Sequence, residues 1–248
     1  MECLIVFAKA PVAGEVKTRL VATAPLSPEE VCALYAAFLN DVLQCAANSR
    51  ADKIFLHYTP ASAGQQMAAI AQKYFAAGRL VMLPQEKEGT FSERIGVSFA
   101  TAEKMGATRL VMIGSDSPHL QSRILDAAFA ALGGSAATLG PSGEGGLYLI
   151  GLRAGIRPDW EKVFGGGAEL VNLCREIARL GGAADLLEEV ADVDVAADLV
   201  TLAALVETMA LTVRRGEFPR HTADELKRLK LTIGRNGGTR DKVLKRDG

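Results

Sequence analysis

The chain has 248 residues, 49% of them hydrophobic and 23% charged, which is enough apolar side chain to bury the core of one large domain. Its formal net charge is only −1, so the protein as a whole has no pull toward nucleic acid or an anionic membrane, and any electrostatic recognition has to be local. No run reaches about 18 uninterrupted apolar residues, which leaves no candidate for membrane insertion.

The first strand is "CLIVFA" (3–8), and it runs into "FAKAPVAGEVKTRL", Phe7 to Leu20. That loop carries Lys9, Lys17 and Arg19 with Glu15 as the only acid among them, so burying it would leave charge uncompensated and an external anion is expected. Pro11 and Gly14 bend the backbone, while Lys17 and Arg19 are placed to meet charge. A diphosphate would suit the loop, although it is neither a Walker A loop nor G-x-G-x-x-G, and a surface loop with solvated cations is the plain alternative. Ser27, Pro28 and Glu30 then form a capping box for a long helix, with Val31, Leu34, Tyr35, Phe38, Leu39, Val42 and Leu43 on its core face.

Further along, strands are expected at 53–58, 79–83, 109–113, 136–140 and 147–152, and helices near 62–76, 92–105, 122–132, 168–180 and 197–210. Short apolar runs alternating with segments of helical period indicate an α/β protein with a mostly parallel sheet. Composition shifts after residue 211, because residues 212–248 hold 11 Lys plus Arg against 5 Asp plus Glu. The expected division is therefore a main domain, 1–211, and a basic C-terminal extension, 212–248, with a short helix capped by Thr222 and Glu225. Such a tail is a solvated extension, a flap closing over phosphates, or a surface packing on a second subunit in a homodimer. Cys3, Cys32, Cys45 and Cys174 show no CxxC pair or framework spacing, as buried thiols in a reducing compartment would, and with the N-terminal stretch reading as a strand and not as a basic leader, a cytoplasmic location is expected.

In open parallel sheets ligands bind beyond the carboxyl ends of the strands. Two further stretches put polar groups there. In "LVMIGSDSPHL" (110–120) the strand ends on Gly114, Ser115, Asp116, Ser117 and Pro118. Asp116 suits Mg²⁺ or Mn²⁺ shared with substrate phosphates, or else Asp116 or Ser117 caps the next helix with Pro118 at its start. In "LGPSGEGGLYLIGL" (139–152) Glu144 stands among Gly143, Gly145 and Gly146, which let backbone approach a ligand or simply turn a hairpin with a solvated carboxylate at its tip. Asp192 and Asp194 of "ADVDVAAD" read equally as a second metal ligand and as helix caps. No two of His57, His119 and His221 have metal-ligand spacing.

Taken in order, "FAKAPVAGEVKTRL", "IGSDSPHL", "GPSGEGGLYLIGL" and "DVDVAADL" resemble a bacterial family of nucleotide-diphospho-sugar transferases with the GT-A glycosyltransferase fold, members of which are also labelled arsenosugar-biosynthesis glycosyltransferases. The resemblance spans about residues 3–205. It implies a three-layer α/β/α, Rossmann-like architecture. The family pattern K-P-x-x-G-x-x-K-T-R-L falls on Lys9 to Leu20 and gives Lys9, Pro11, Gly14, Lys17 and Arg19 a nucleotide-phosphate role. G-S-D-x-P falls on Gly114 to Pro118, putting Ser115 at the nucleotide and Asp116 at the metal, and D-G-G-Y-Y-L-I-G-L falls on Glu144 to Leu152, with Gly145 and Gly146 at the donor. The chain departs from the pattern in four places. Glu144 replaces Asp, Leu147 replaces Tyr, "TFSER" keeps only Glu93 and Arg94 of the usual D-L-G-x-R stretch, and "GGGAEL" stands where a Trp follows Phe164.

The resemblance implies a metal-dependent glycosyltransferase that moves a sugar from a nucleoside diphosphate donor to a small acceptor, using Mg²⁺ or Mn²⁺. Glu144 is then the general base or orients the acceptor hydroxyl, Asp116 is both catalytic and metal-binding, and Arg94 helps hold the donor. The alternatives are a nucleotidyltransferase that joins a nucleoside triphosphate to a phosphorylated acceptor, and a non-catalytic nucleotide-binding relative.

Overall fold

A computed structural model describes residues 1–85, 88–212, 217–235 and 242–246. β1 (Glu2–Lys9), β2 (Lys53–Thr59), β3 (Leu80–Pro84), β4 (Arg109–Ile113), β5 (Ala137–Pro141) and β6 (Leu147–Arg153) coincide with the six apolar runs. A short β7 (Ala184–Leu186) completes a seven-stranded sheet of order β3-β2-β1-β4-β6-β5-β7. β1 runs parallel to β2 and β4, β2 to β3, and β5 to β7, whereas β6 is antiparallel to both of its neighbours. The helices are α1 (Thr18–Thr23), α2 (Pro28–Asn48), α3 (Gly64–Ala71), α4 (Phe91–Lys104), α5 (Ser122–Ala131), α6 (Trp160–Phe164), α7 (Glu169–Arg179), α8 (Ala196–Thr212) and α9 (Arg220–Arg228), with a hairpin of β8 (Leu231–Arg235) and β9 (Lys242–Arg246) at the end.

The chain forms two compact units. The first comprises Met1–Ala10, Leu43–Gly114 and Ser122–Ala191, and contains the whole seven-stranded sheet. Successive strand residues point to opposite faces. On one face, Cys3 and Ile5 of β1 join Phe55, Met112, Leu139 and Ile150 under Ile95 and Phe99 of α4, Val163 of α6, and Leu173 and Ile177 of α7. Trp160 stacks on Phe99, their ring centroids 5.3 Å apart. On the other face α5 lies over β4 and β5 through buried Ile124, Leu125, Ala128 and Phe129, so helices cover both sides of the sheet. α4 starts with a capping box that the sequence reading did not identify: Thr90 Oγ1 accepts from Glu93 N while Glu93 Oε2 accepts from Thr90 N. This gives Glu93 of "TFSER" a structural task.

One histidine belongs to this core. His57 in β2 is 3% exposed, and its Nδ1 lies 2.8 Å from Ser98 Oγ. The Ser98 hydroxyl already donates to Arg94 O at 2.9 Å, so Nδ1–H is the donor of the pair and Nε2 carries the free lone pair. Nε2 is buried without a partner among the described residues. Burial pushes the His57 pKa down to about 4, since a protonated ring would put an unpaired N–H⁺ there.

The second unit comprises Pro11–Val42, Ser115–Gln121 and Asp192–Gly248. Its core gathers Leu20 of α1, Val31, Leu34 and Phe38 of α2, Leu199, Leu202 and Val206 of α8, and Ala223, Leu226 and Leu229 of α9. Ser27 and Glu30 cap α2 as expected, with Ser27 N donating to Glu30 Oε2 at 2.9 Å and Glu30 N to Ser27 Oγ at 3.3 Å. The basic tail is not a solvated extension over its described part, because α9 and the side chains of Leu231 and Leu244 pack on this core. Residues 213–216, 236–241 and 247–248 of that tail lie outside the described residues. Thr222 and Glu225 do not cap α9, which begins earlier, at Arg220. Asp41 of α2 takes that role: its carboxylate accepts from His221 N at 3.1 Å and Thr222 N at 2.7 Å. The cysteines are free thiols; Cys3 and Cys45 are buried, whereas Cys174 is exposed and Cys32 half-buried, contrary to four buried thiols. Among the described residues no helix is long and apolar enough to cross a membrane.

Candidate functional site

The loop that follows β1 and the loop that follows β4 both belong to the second unit, and there they meet the segment that leads into α8. Lys17 occupies the N-cap position of α1 in a left-handed conformation, φ 48° and ψ 43°. Its side chain is 6% exposed, and its ammonium lies 2.8 Å from Asp116 Oδ1 and 2.8 Å from Asp194 Oδ1. Arg19 Nη1 approaches Asp194 Oδ2 at 3.4 Å, and this arginine is 66% exposed. Burial by itself would lower the Lys17 pKa, but the two carboxylates outweigh it and hold the value above that of an ordinary lysine. The charge that the local sequence leaves uncompensated is therefore balanced from within the chain, by partners far away in sequence.

The carboxylates are held by backbone and by neighbours. Val193 N donates to Asp116 O at 3.0 Å, which ties the β4 loop to the 192–194 segment. Ser117 Oγ donates to Asp192 Oδ1 at 2.6 Å, and Ser115 Oγ lies 2.9 Å from Tyr35 OH in a buried pair. Asp198 Oδ2 accepts from Asp194 N and Val195 N, both at 2.9 Å, across the start of α8. Capping of α8 thus falls to Asp198, not to Asp192 or Asp194. Likewise α5 begins at Ser122, beyond Pro118, so neither Asp116 nor Ser117 caps it. The sequence reading missed Tyr35 and Asp198. The cluster of acids in "ADVDVAAD" was the signal available, and in the structure Asp192 pairs with Ser117, Asp194 with Lys17, and Asp198 with the backbone before α8.

The remaining expected residues divide between the units. Pro11 is buried and Gly14 exposed in the second unit, with Gly14 at φ 80°. Lys9, Arg94, Glu144, Gly145 and Gly146 belong to the first unit. Lys9 ends β1 and is exposed. Arg94 is half-buried in the first turn of α4, and its Nε is buried without a hydrogen-bond partner among the described residues. Glu144 is exposed in the turn between β5 and β6, at φ 58° and ψ 20°. That left-handed conformation costs a residue with a Cβ roughly 1–2 kcal/mol, and backbone strain of this kind collects at functional positions. Gly146 N closes the turn on Gly143 O at 3.1 Å. A Cβ on Gly145 would lie 3.9 Å from Ala168 Cα, so two of the departures from the family pattern, at 144 and at 165–170, are neighbours in space.

Two carboxylate oxygens converging on one cation are a hard donor pair. Such a pair fits Mg²⁺ or Mn²⁺, which take one or two carboxylates and complete their shell with water and phosphate oxygens. It does not fit a zinc site, and among the described residues no group of three or more His, Cys, Asp or Glu is placed to hold a metal. The cation between the two oxygens is the Lys17 ammonium.

A mostly parallel seven-stranded sheet with helices on both faces is the architecture of the nucleotide-diphospho-sugar transferase class, and solved structures agree. A Desulfovibrio desulfuricans protein described as a "putative nucleotide-diphospho-sugar transferase" is similar at 26% identity and TM-score 0.75, over 92% of this chain and 94% of that one. Two more distant structures share the fold. One is a cytidylyltransferase from Leptospira borgpetersenii, at 11% identity and TM-score 0.52 over 92% and 94% of the two chains. The other is 4-diphosphocytidyl-2C-methyl-D-erythritol synthase from Anaerococcus prevotii, at 9% identity and TM-score 0.53 over 83% and 96%. No curated protein matches the chain. Residues 42–167 match the family described as "Uncharacterized protein conserved in bacteria (DUF2064)", and the chain belongs to that family.

Proposed function

We propose that this protein is a transferase that binds a nucleoside diphosphate sugar, with a divalent cation held by Asp116 and Asp194, and passes the sugar to a small acceptor. The observation that carries this reading is the convergence of Asp116 and Asp194 on a single cation, Lys17, at 2.8 Å each. Arg19 stands beside them, and its exposed guanidinium is free to turn to a donor phosphate. Lys9, Pro11 and Gly14 shape the same loop, and Ser115 fixes the Asp116 backbone through Tyr35. What a divalent ion held there supplies is positive charge against that developing on the diphosphate leaving group. Arg94, Gly145 and Gly146, which belong to the first unit, keep the donor role that the family resemblance gives them, and the two glycines allow close approach of backbone. Glu144 accepts the proton of the acceptor hydroxyl or orients it. Its longer side chain, together with the neighbouring change at 165–170, supports an acceptor different from that of relatives with Asp.

The test is a thermal-shift series of nucleoside diphosphate sugars with and without Mn²⁺, followed by product analysis for the stabilising donor. A donor that raises the melting temperature only when the ion is present, and is then consumed with release of nucleoside diphosphate, supports the proposal. The fold shared with cytidylyltransferases supports a second reading, a nucleotidyltransferase. Release of pyrophosphate from a triphosphate would favour it.

A further inference from the structure

The position of Lys17 raises a question of occupancy. A lysine that binds donor phosphate should face the solvent side of the site, yet the Lys17 side chain is 6% exposed and both partners of its ammonium are carboxylates, on side chains 39% and 45% exposed. The carboxylates are open to a solute, and the point where their oxygens converge is filled from beneath by the protein's own cation. An ammonium and a divalent ion make the same demand there, oxygen at short range. They cannot both meet it, because like charges a few ångströms apart, only partly shielded by water, repel strongly.

We propose that Lys17 is a resident counterion of the cation site, displaced when the divalent ion binds and thereby delivered to the phosphates of the donor. This rests on the reading of Asp116 and Asp194 as the ligands of that ion. Without the ion, Lys17 keeps the two carboxylates from repelling each other and holds the loop after β1 against the segment before α8. When the ion takes the carboxylates, the four-carbon side chain swings its ammonium outward, where Arg19 already lies exposed. One residue then serves carboxylates in one state and phosphates in the other. The ion and the donor must each strengthen binding of the other, since coupling between two ligands is reciprocal.

The experiment measures Mn²⁺ binding without nucleotide, by the paramagnetic resonance signal of the free ion, for the wild-type protein and for Lys17→Met. It also maps acylation of Lys17 by an amine-reactive probe in the wild-type protein, with Mg²⁺ and with a chelator. Removing the competitor is expected to tighten Mn²⁺ binding by about tenfold or more, within the range usual for coupled sites. Lys17 acylation is expected to rise several-fold with Mg²⁺. Equal or weaker Mn²⁺ binding in a folded Lys17→Met protein overturns the displacement but leaves the cation site standing. If the variant does not fold, acylation that stays level or falls with Mg²⁺ overturns it in the wild-type protein. Absence of Mn²⁺ binding in the wild-type protein overturns both the displacement and the cation site.

Discussion

His57 makes the stability of the fold depend on pH in a calculable way. Its pKa is about 4 in the folded chain, against an ordinary 6.5. The sign follows from proton uptake: as pH falls below 6.5 the unfolded chain binds a proton at this position and the folded chain does not, so stability is lost between pH 6.5 and 4 and is constant above that window. A shift from 6.5 to 4 corresponds to about 3.4 kcal/mol once pH is below both values, and to about 2 kcal/mol at pH 5. His119 is likewise pushed down to about 4 by burial and adds a loss of the same sign, so His57 has to be isolated by difference. Urea unfolding at pH 7.5 and pH 5 would be compared for the wild-type protein and His57→Asn, whose amide can still donate to Ser98. The variant should be less stable at pH 7.5, yet should lose about 2 kcal/mol less than the wild type on going to pH 5. Equal losses in the two proteins would refute the argument that the ring is buried neutral.

Three further outcomes are expected. Asp116→Asn should remove the divalent-dependent part of donor binding and cut turnover by about a hundredfold, read by calorimetry and product assay; undiminished metal-dependent binding contradicts the ligand assignment. Gly140→Ala should destabilise the fold by about 1–3 kcal/mol, because a Cβ there would meet the Tyr148 ring at 2.5 Å and Leu149 Cβ at 2.8 Å, and an unchanged denaturation midpoint contradicts that packing. Glu144→Gly should raise stability by about 1 kcal/mol by releasing the left-handed strain while depressing turnover. A variant that is both stabilised and fully active separates the strain from the chemistry and removes Glu144 from the mechanism.

The strands of the sheet were legible because strands covered on both faces read as continuous apolar runs, and such a run survives whatever its neighbours are. β7 gives no such signal: it is three residues long, and Leu186 is 65% exposed. The hairpin of β8 and β9 is written as "LTIGR" and "KVLKR", where charge and glycine interrupt the apolar alternation, so it reads as a basic tail. The start of α9 was misplaced for another reason. A cap is sought in the residues beside a helix, but here Asp41 supplies it from 180 and 181 positions away.

The same asymmetry governs the site. Residue types at strand ends are a local property, and Lys17, Arg19 and Asp116 could be picked out as chemistry-bearing from the sequence because an unpaired cation beside a turn and a carboxylate after an apolar run are each anomalous on their own. Pairing is not local: one of the two carboxylate partners of Lys17, Asp194, lies 177 residues away, and nothing within the first loop but Glu15 suggests compensation. A search for compensating charge limited to neighbours therefore turns an internal ion pair into a missing ligand. That error is instructive about the chemistry, because a left-handed lysine whose ammonium sits between two half-exposed carboxylates is held by the hard oxygen pair on which the proposed cation site rests. The loop's basic character and its burial are reconciled by these two carboxylates, and the displacement proposed above adds a second place for the ammonium, facing an anion in solution.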